Sequence, residues 1–350
     1  IVSRDWSSDV CSSDLGFRLL KGETIRMKKY AFKGLGLVLA VALIVGCFAG
    51  CAKINYVTDG AIQAINEVKD GSWKTKGQED AGTSEADYDK PVIEEFKAGT
   101  YGGVEFKDVA AVADYYKQAY DYTKTLTAQY KDDKGQTQTY YKMLCEEDLN
   151  VHDIAIDGSV NKTINNMVPG IVKPIYKPGL NGLVPSTNRD PKLDTDEWDG
   201  KGESLQTSRL VADDLVTANV KDNGDGTITL QMQPKYVNMS APGKDAQGHM
   251  FQSLGAIDST VDSITVLSWS EGTTADNCKV NYYGGTATVT IDTKTKEITK
   301  ADYVMEAHVV VSHACITVIR DKNATVDVTM KWSAPASEKY MQEKKGVTRA

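Results

Sequence analysis

Two periods divide the chain. Up to about residue 205 the apolar positions that recur do so mostly at helical spacing, and beyond it they alternate with polar ones. Lys107 to Tyr130 predicts a helix capped by Asp108, with Val109, Val112, Tyr116, Ala119, Thr123 and Leu126 on one face. A second helix is expected from Asp157/Ser159, carrying Val160, Ile164, Met167 and Val168 and stopped by Pro169-Gly170. Thr227 to Gln233 then alternates cleanly after the turn Asp222-Asn223-Gly224-Asp225-Gly226. Ala287, Val289 and Ile291 share one strand face, and Tyr303, Met305, Ala307, Val309 and Val311 share another. Val326, Val328, Met330 and Trp332 repeat the pattern. A sheet with one apolar and one Thr/Lys/Asp-rich face needs a cover on the first. The expected class is therefore α+β: an antiparallel, curved β-sheet in the C-terminal half, with helices from the N-terminal half packed on one face.

The front of the chain follows neither period. From Met27, Lys28, Lys29 and Lys33 precede the apolar run Leu35 to Val45, and small residues lead into Cys47 and Cys51. This resembles a bacterial lipoprotein signal peptide, which implies cleavage before a cysteine and a diacylated thiol as membrane anchor. Ile44-Val45-Gly46-Cys47 has the better aliphatic residue, and Phe48-Ala49-Gly50-Cys51 the better small pair and core length. Cys51 is the preferred lipidation site, with Cys47 as its alternative. Gly34 to Ala52 is also an uncharged run of 19 residues, enough to span a bilayer as an uncleaved anchor. Both readings put residues beyond 52 outside the cytoplasm. Residues 5–15, DWSSDVCSSDL, resemble a translated sequencing adapter, so residues 1–26 are expected to be an assembly artefact. The remaining organisation is a signal peptide over 27–50, a tether with one short helix over 51–104, one domain over 105–335 and a polar tail over 336–350.

Composition then changes two things. Of the chain's 40 basic and 48 acidic residues, 33 and 44 remain after residue 50, a net charge of −11. That balance, with no basic stripe, speaks against nucleic acid as a partner. Cys145, Cys278 and Cys315 survive in the exported body. Cys278–Cys315 is the expected disulfide, because both lie in strand-like segments of one domain; three reduced, buried thiols are the alternative.

Candidate chemistry is sparse. The Asp222–Gly226 segment fails as a calcium loop at both ends, with Lys221 and Met232 where carboxylates belong, and reads as a hairpin turn. Asp194, Asp196, Glu197 and Asp199 around Trp198 read as a solvated acidic loop. Ser159-Val160-Asn161-Lys162 and Tyr236-Val237-Asn238 match two motifs of penicillin-recognising enzymes, but Lys294-Thr295-Lys296 lacks the glycine of the third. His308 and His313 fall on opposite faces of a regular strand, so no shared metal follows, and His313 reads as a core histidine. No metal and no cofactor is expected. Tyr116 and Tyr120, in a helix crowded with tyrosines, and Trp198 are the candidate ligand-binding residues.

The Tyr-rich helix, Ala212-Asp213-Asp214 before a Gly-rich hairpin, and the strand from Lys296 to Lys300 resemble uncharacterised extracytoplasmic lipoproteins of bacteria. The architecture also looks like the periplasmic lipoprotein-carrier fold. The resemblance implies a non-enzymatic, membrane-anchored binding or cell-surface protein, with an apolar groove for a small-molecule, lipid or cell-wall ligand. The alternative is an envelope or cell-wall hydrolase using carboxylates such as Asp213-Asp214 or Glu146-Glu147.

Overall fold

The computed structural model describes residues 88–160, 165, 182–184, 207–253, 261–262, 267–316 and 319–350. It is built on two long strands. β13 (Ile298–Ile316) pairs antiparallel with β14 (Ile319–Ala334), setting Tyr303 opposite Trp332, Met305 opposite Met330, Ala307 opposite Val328 and Val309 opposite Val326. Every one of these residues is buried, as the alternation predicts. The 19 residues of β13 outrun any partner on its other side, so three strands share that edge. These are β12 (Thr286–Asp292), β11 (Cys278–Tyr282) and β10 (Leu267–Trp269).

The sheet grows outward from this spine. β5 (Glu146–Ile156) pairs with β14 and carries the short β6 (Ser159–Val160) at the edge. On the far side β12 pairs with β8 (Thr227–Pro234), and β8 with β7 (Leu215–Asp222). β9 (Val237–Asn238) lies on β11. Bulges near Ile291, between Val311 and Ala314, and between Val326 and Val328 bend the long strands, because an unpaired extra residue raises local twist. The hairpin β7–β8 turns through Gly224 and Gly226, both at positive φ. The carboxylate of Asp222 accepts the Gly224 and Gly102 amides at 2.8 and 2.7 Å, so the turn also ties down an upstream hairpin.

One helix of any length sits on the inner face. α1 (Val109–Thr125) starts where Asp108 accepts the Ala111 amide at 2.8 Å, as the sequence predicts. Val112, Tyr116, Ala119 and Thr123 are buried. The Tyr116 and Tyr303 hydroxyls share a hydrogen bond at 3.0 Å, and Thr123 Oγ1 accepts the Ile298 amide at 2.8 Å. Trp332, Tyr116, Tyr303, Phe106 and Phe251 fill the space between, each at most 1% exposed. Among the described residues, these side chains fill the space where the groove was expected.

The expected antiparallel sheet is present, and the class is β-rich, with few helices among the described residues. Three expectations need correction. α1 stops at Thr125; Leu126 is extended and Tyr130 belongs to β3 (Thr127–Asp132), since its ring is needed in another core. The second helix does not start at Asp157/Ser159. Asp157 (φ 46°) and Gly158 (φ 75°) make a positive-φ hairpin turn between β5 and β6; Asn165 is helical, and Ile164, Met167, Val168 and Pro169-Gly170 lie outside the described residues. Finally, residues 336–350 are no free tail. α4 (Glu338–Lys345) begins at Ser337 and ends at Gly346 (φ 64°), and β15 (Val347–Arg349) pairs with β3. Ala336, Met341 and Val347 close a small second core with Tyr130 and Leu144, beside β4 (Thr137–Tyr141). Two spaced apolar residues, Met341 and Val347, are too few to show as a period. α2 (Ala246–Met250) and α3 (Thr274–Asn277) are single turns.

The end of the expected tether is also anchored. Val92 N donates to Gln233 Oε1 at 2.7 Å, Gln233 Nε2 donates to the Lys90 carbonyl at 2.9 Å, and Asp89 accepts the Tyr236 amide at 2.6 Å. β1 (Gly99–Tyr101) and β2 (Val104–Phe106) then form a hairpin. Residues 1–87, which include the signal and both lipidation candidates, lie outside the described residues.

Candidate functional site on the outer face of the sheet

The outer face is where chemistry collects. In antiparallel pairing, directly opposed residues point to the same side. Asn238 opposes Asn281, Asn281 opposes His308 and His308 opposes Asp327, so one row crosses β9, β11, β13 and β14. Their neighbours Val280, Tyr282, Ala307, Val309, Val326 and Val328 are buried, which turns the row outward. Asn238 Nδ2 donates to Asn281 Oδ1 at 2.8 Å, and the Tyr236 hydroxyl donates to the same oxygen at 3.0 Å. His308 Nδ1 lies 2.7 Å from Asp327 Oδ1. A carboxylate only accepts, so Nδ1 is the donor of this bond. One rung along, Glu306 opposes Thr329. The Thr329 hydroxyl donates to Glu306 Oε2 at 2.7 Å and lies 2.8 Å from His152 Nε2. Its single proton is committed to Glu306, so the imidazole is the donor of the second bond.

Aromatic rings stand at one end of these rungs. Tyr236 and Asn238 share the outward parity of β9, and Tyr283 continues that of Asn281. Tyr88, brought in by the Gln233 and Asp89 contacts, lies 4.5 Å from the Tyr236 ring and 4.6 Å from the Tyr283 ring. Tyr283 stacks on His308 at 3.9 Å with 17° between planes. The three tyrosines and the imidazole thus form a continuous wall, and all four are half-buried. Burial, then Asp327 and the neighbouring tyrosines, raise the Tyr283 phenol above its usual value, so it stays a hydrogen-bond donor at any physiological pH.

No protein-family model, no curated protein and no solved structure matches the chain. The site is read from its own residues.

Several sequence candidates fall elsewhere. Tyr116 and Tyr120 are buried; Tyr116 pairs with Tyr303, and the Tyr120 hydroxyl donates to the Leu183 carbonyl at 3.4 Å. They are core residues, because this face of α1 meets the sheet. Trp198, its acidic loop, Cys51 and Cys47 lie outside the described residues. Cys145, Cys278 and Cys315 are buried, and no disulfide joins Cys278 to Cys315, so that expectation is corrected. Cys278 opposes Val311 on β13, which is four positions from Cys315. At roughly 3.3 Å per residue that puts the pair well beyond the 7 Å limit for Cα atoms of a disulfide.

His313 is corrected too. The bulge after Val311 puts it at φ 54°, and its Nδ1 donates outward to Asp321 at 2.7 Å instead of entering the core. Ser270 Oγ donates to the same carboxylate oxygen at 2.7 Å. The serine proton is given to Asp321 and not to the imidazole, so this Ser–His–Asp trio is not wired to make a nucleophile. Ser159 lies in β6, exposed, and Lys294-Thr295-Lys296 is a turn.

The carboxylates offered for hydrolysis do not converge. Glu147 is buried, accepting Trp332 Nε1 at 3.3 Å, while Glu146 accepts the Ser337 amide. Asp213 and Asp214 lie in a short 3-10 turn, with Asp214 bonded to His249 Nδ1 at 2.8 Å. Among the described residues the carboxylates whose surroundings move their pKa are moved down: Asp132, Asp222, Asp225, Asp276, Asp292 and Asp321. Among the described residues no group of three His, Cys, Asp or Glu is placed to hold a metal ion, and no helix is long and apolar enough to cross a membrane. A concavity of about 480 Å³ lies beside Trp269, Thr274 and Asp262, where Trp269 Nε1 donates to Thr274 Oγ1 at 3.0 Å. Its neighbours 254–260 and 263–266 lie outside the described residues.

The wall at Tyr88, Tyr236 and Tyr283 went unseen in the sequence. The one available signal was parity: Tyr236-Val237-Asn238 and Asn281-Tyr282-Tyr283 each put an amide and a phenol on the same strand face.

Proposed function

We propose that the protein is an extracytoplasmic binding protein, held to a membrane by a lipid on Cys51 (Cys47 in the other register), whose ligand-contact surface is the Tyr88–Tyr236–Tyr283–His308 wall. The observation that carries the binding role is the position of that wall. Three phenols and an imidazole, drawn from four separate segments, are packed together on the solvent side of a sheet whose core lies on the other side. Aromatic rings with a wet edge and fixed polar neighbours are the usual makings of a recognition surface. The α+β description is supported by α1, seated against Tyr303 and Ile298.

The anchor reading rests on the basic, apolar and small-residue order from Met27 to Cys51. Its test is mass spectrometry of the membrane-bound protein expressed from Met27. A diacylglyceryl mass on an N-terminal Cys51 or Cys47 is expected, and an unmodified Met27 terminus overturns it. The surface reading is tested by ring resonances of labelled tyrosine when envelope fragments are added. Tyr236 and Tyr283 should shift, and shifts that spare both would refute it.

A further inference from the structure

From the outer-face rows we infer that the ligand is a neutral, extended oligosaccharide, with one sugar ring on the tyrosine wall and the following units along the Asn281–His308–Asp327 row. The inference rests on the ligand-contact reading above and gives that surface its chemistry. Three features carry it.

The first is shape. The polar row crosses three gaps between strands, each about 4.8 Å, so it runs on the order of 14 Å from Asn238 to Asp327. It is a track for a short chain, not a pit for a single small molecule. The second is hydrogen-bonding character. Along the track stand the Asn238 and Asn281 amides, the His308 imidazole, the Tyr236 and Tyr283 phenols and the Thr329 hydroxyl, all but the Tyr283 phenol oriented by hydrogen bonds to neighbours. Hydroxyl groups on a sugar both donate and accept, so they match this mixture, whereas a row of one polarity would select an ion. Bonds among the row's own side chains hold them in place before any ligand arrives, which reduces the ordering cost of binding.

The third is charge. Asp327 and Glu306 face the track, and their partners are His308 and Thr329, so no lysine or arginine is bonded to either. An anionic polymer would be repelled from this face, and the net −11 of the exported chain adds to that repulsion. Tyr283, held protonated, and Tyr236 offer apolar ring surface at one end, where the flat C–H face of a pyranose can stack.

Isothermal titration calorimetry of the full chain tests this with chitotetraose and cellotetraose, the disaccharide of each, a tetra-glutamate peptide and a tetra-lysine peptide. At least one neutral tetrasaccharide should bind, more tightly than its disaccharide, and the affinity should fall at least tenfold in Tyr283→Ala and in Asn281→Ala. A Tyr283→Phe control keeps the ring and should retain most of the affinity. If a charged peptide binds instead and Tyr283→Ala abolishes it, the surface is a binding site but the saccharide assignment is wrong. If a tetrasaccharide binds and neither variant weakens it, the track is wrong. If no probe binds, and ring resonances of Tyr236 and Tyr283 also stay unmoved by envelope fragments, both readings fall.

Discussion

The bond between the Tyr116 and Tyr303 hydroxyls makes a quantitative test of how α1 is held to the sheet. Both side chains are fully buried, and their oxygens are 3.0 Å apart. Burial raises both phenols above their usual pKa, so the bond is between two neutral hydroxyls across the ordinary pH range. Replacing either tyrosine with phenylalanine keeps the ring and strands the other hydroxyl in the core. Leaving a buried polar group unsatisfied costs about 1–3 kcal/mol. Replacing both removes that penalty, so the double variant should be destabilised no more than either single one. The coupling in the cycle is then about 1–3 kcal/mol, against near-zero for independent sites. With a urea slope of about 2 kcal/mol per molar, each single variant should lower the midpoint by about 0.5–1.5 M. Urea titrations of wild type, Tyr116→Phe, Tyr303→Phe and the double variant, followed by tryptophan fluorescence, measure all four corners. Simple additivity would refute the reasoning, because it would mean the two hydroxyls do not depend on each other.

Trp332→Ala, which empties the centre of the inner face beside Phe251, should cost about 3–5 kcal/mol in the same assay. Thiol titration should find Cys145, Cys278 and Cys315 unreactive in the native protein and all three reactive in denaturant without reductant; only one of them reacting there would restore the disulfide. The six lowered carboxylates predict acid sensitivity of a definite sign. Their folded pKa values lie below the unfolded value of about 3.9, so their contribution is complete above that pH and is lost as pH falls through the folded values. The first causes are the Gln136, Gly224 and Thr295 amides for Asp132, Asp222 and Asp292, and the Thr227, Thr273 and Ser270 hydroxyls for Asp225, Asp276 and Asp321. The urea midpoint should therefore drop between pH 5 and pH 3, and a flat profile there would contradict the turn contacts. Gly102→Ala should destabilise, because at φ +57° the added Cβ meets Ile228 Cγ2 at 2.8 Å and Thr293 Cγ2 at 2.9 Å; an unchanged midpoint would show that the upstream hairpin is not pressed on the sheet.

How legible the fold was depends on how each segment buries its residues. β8, β12, β13 and β14 each have one wet and one dry face, so period two marks them residue by residue. α1 was legible for the same reason, since Asp108 caps it and its dry stripe meets Tyr303. β3 and β15 were not. Their core is five residues gathered from four places, and Tyr130 and Val347 carry no local period that says so. β5 and β6 were masked by Asp157-Gly158, whose positive-φ turn imitates a helix start. The site was less legible still. Tyr236 and Tyr283 are brought together by the β9–β11 pairing, and Asn281, His308 and Asp327 by register across three strands. Pairing partners are a property of the folded sheet, and a single sequence carries only the parity of each strand. The tyrosines that do stand out, Tyr116 and Tyr120, sit at helical spacing, and that same spacing commits them to the core.

The most direct test of the outer-face account is co-sedimentation of the full chain with purified envelope polymer, comparing wild type with Tyr283→Ala at matched folded fraction. The wall predicts that wild type pellets with the polymer, and that Tyr283→Ala keeps its unfolding free energy within about 1 kcal/mol yet binds at least tenfold more weakly, since truncating an aromatic anchor typically costs about 2 kcal/mol or more in affinity. Equal pelleting of the two, with stability equally intact, would contradict the claim that this face is what the protein binds with.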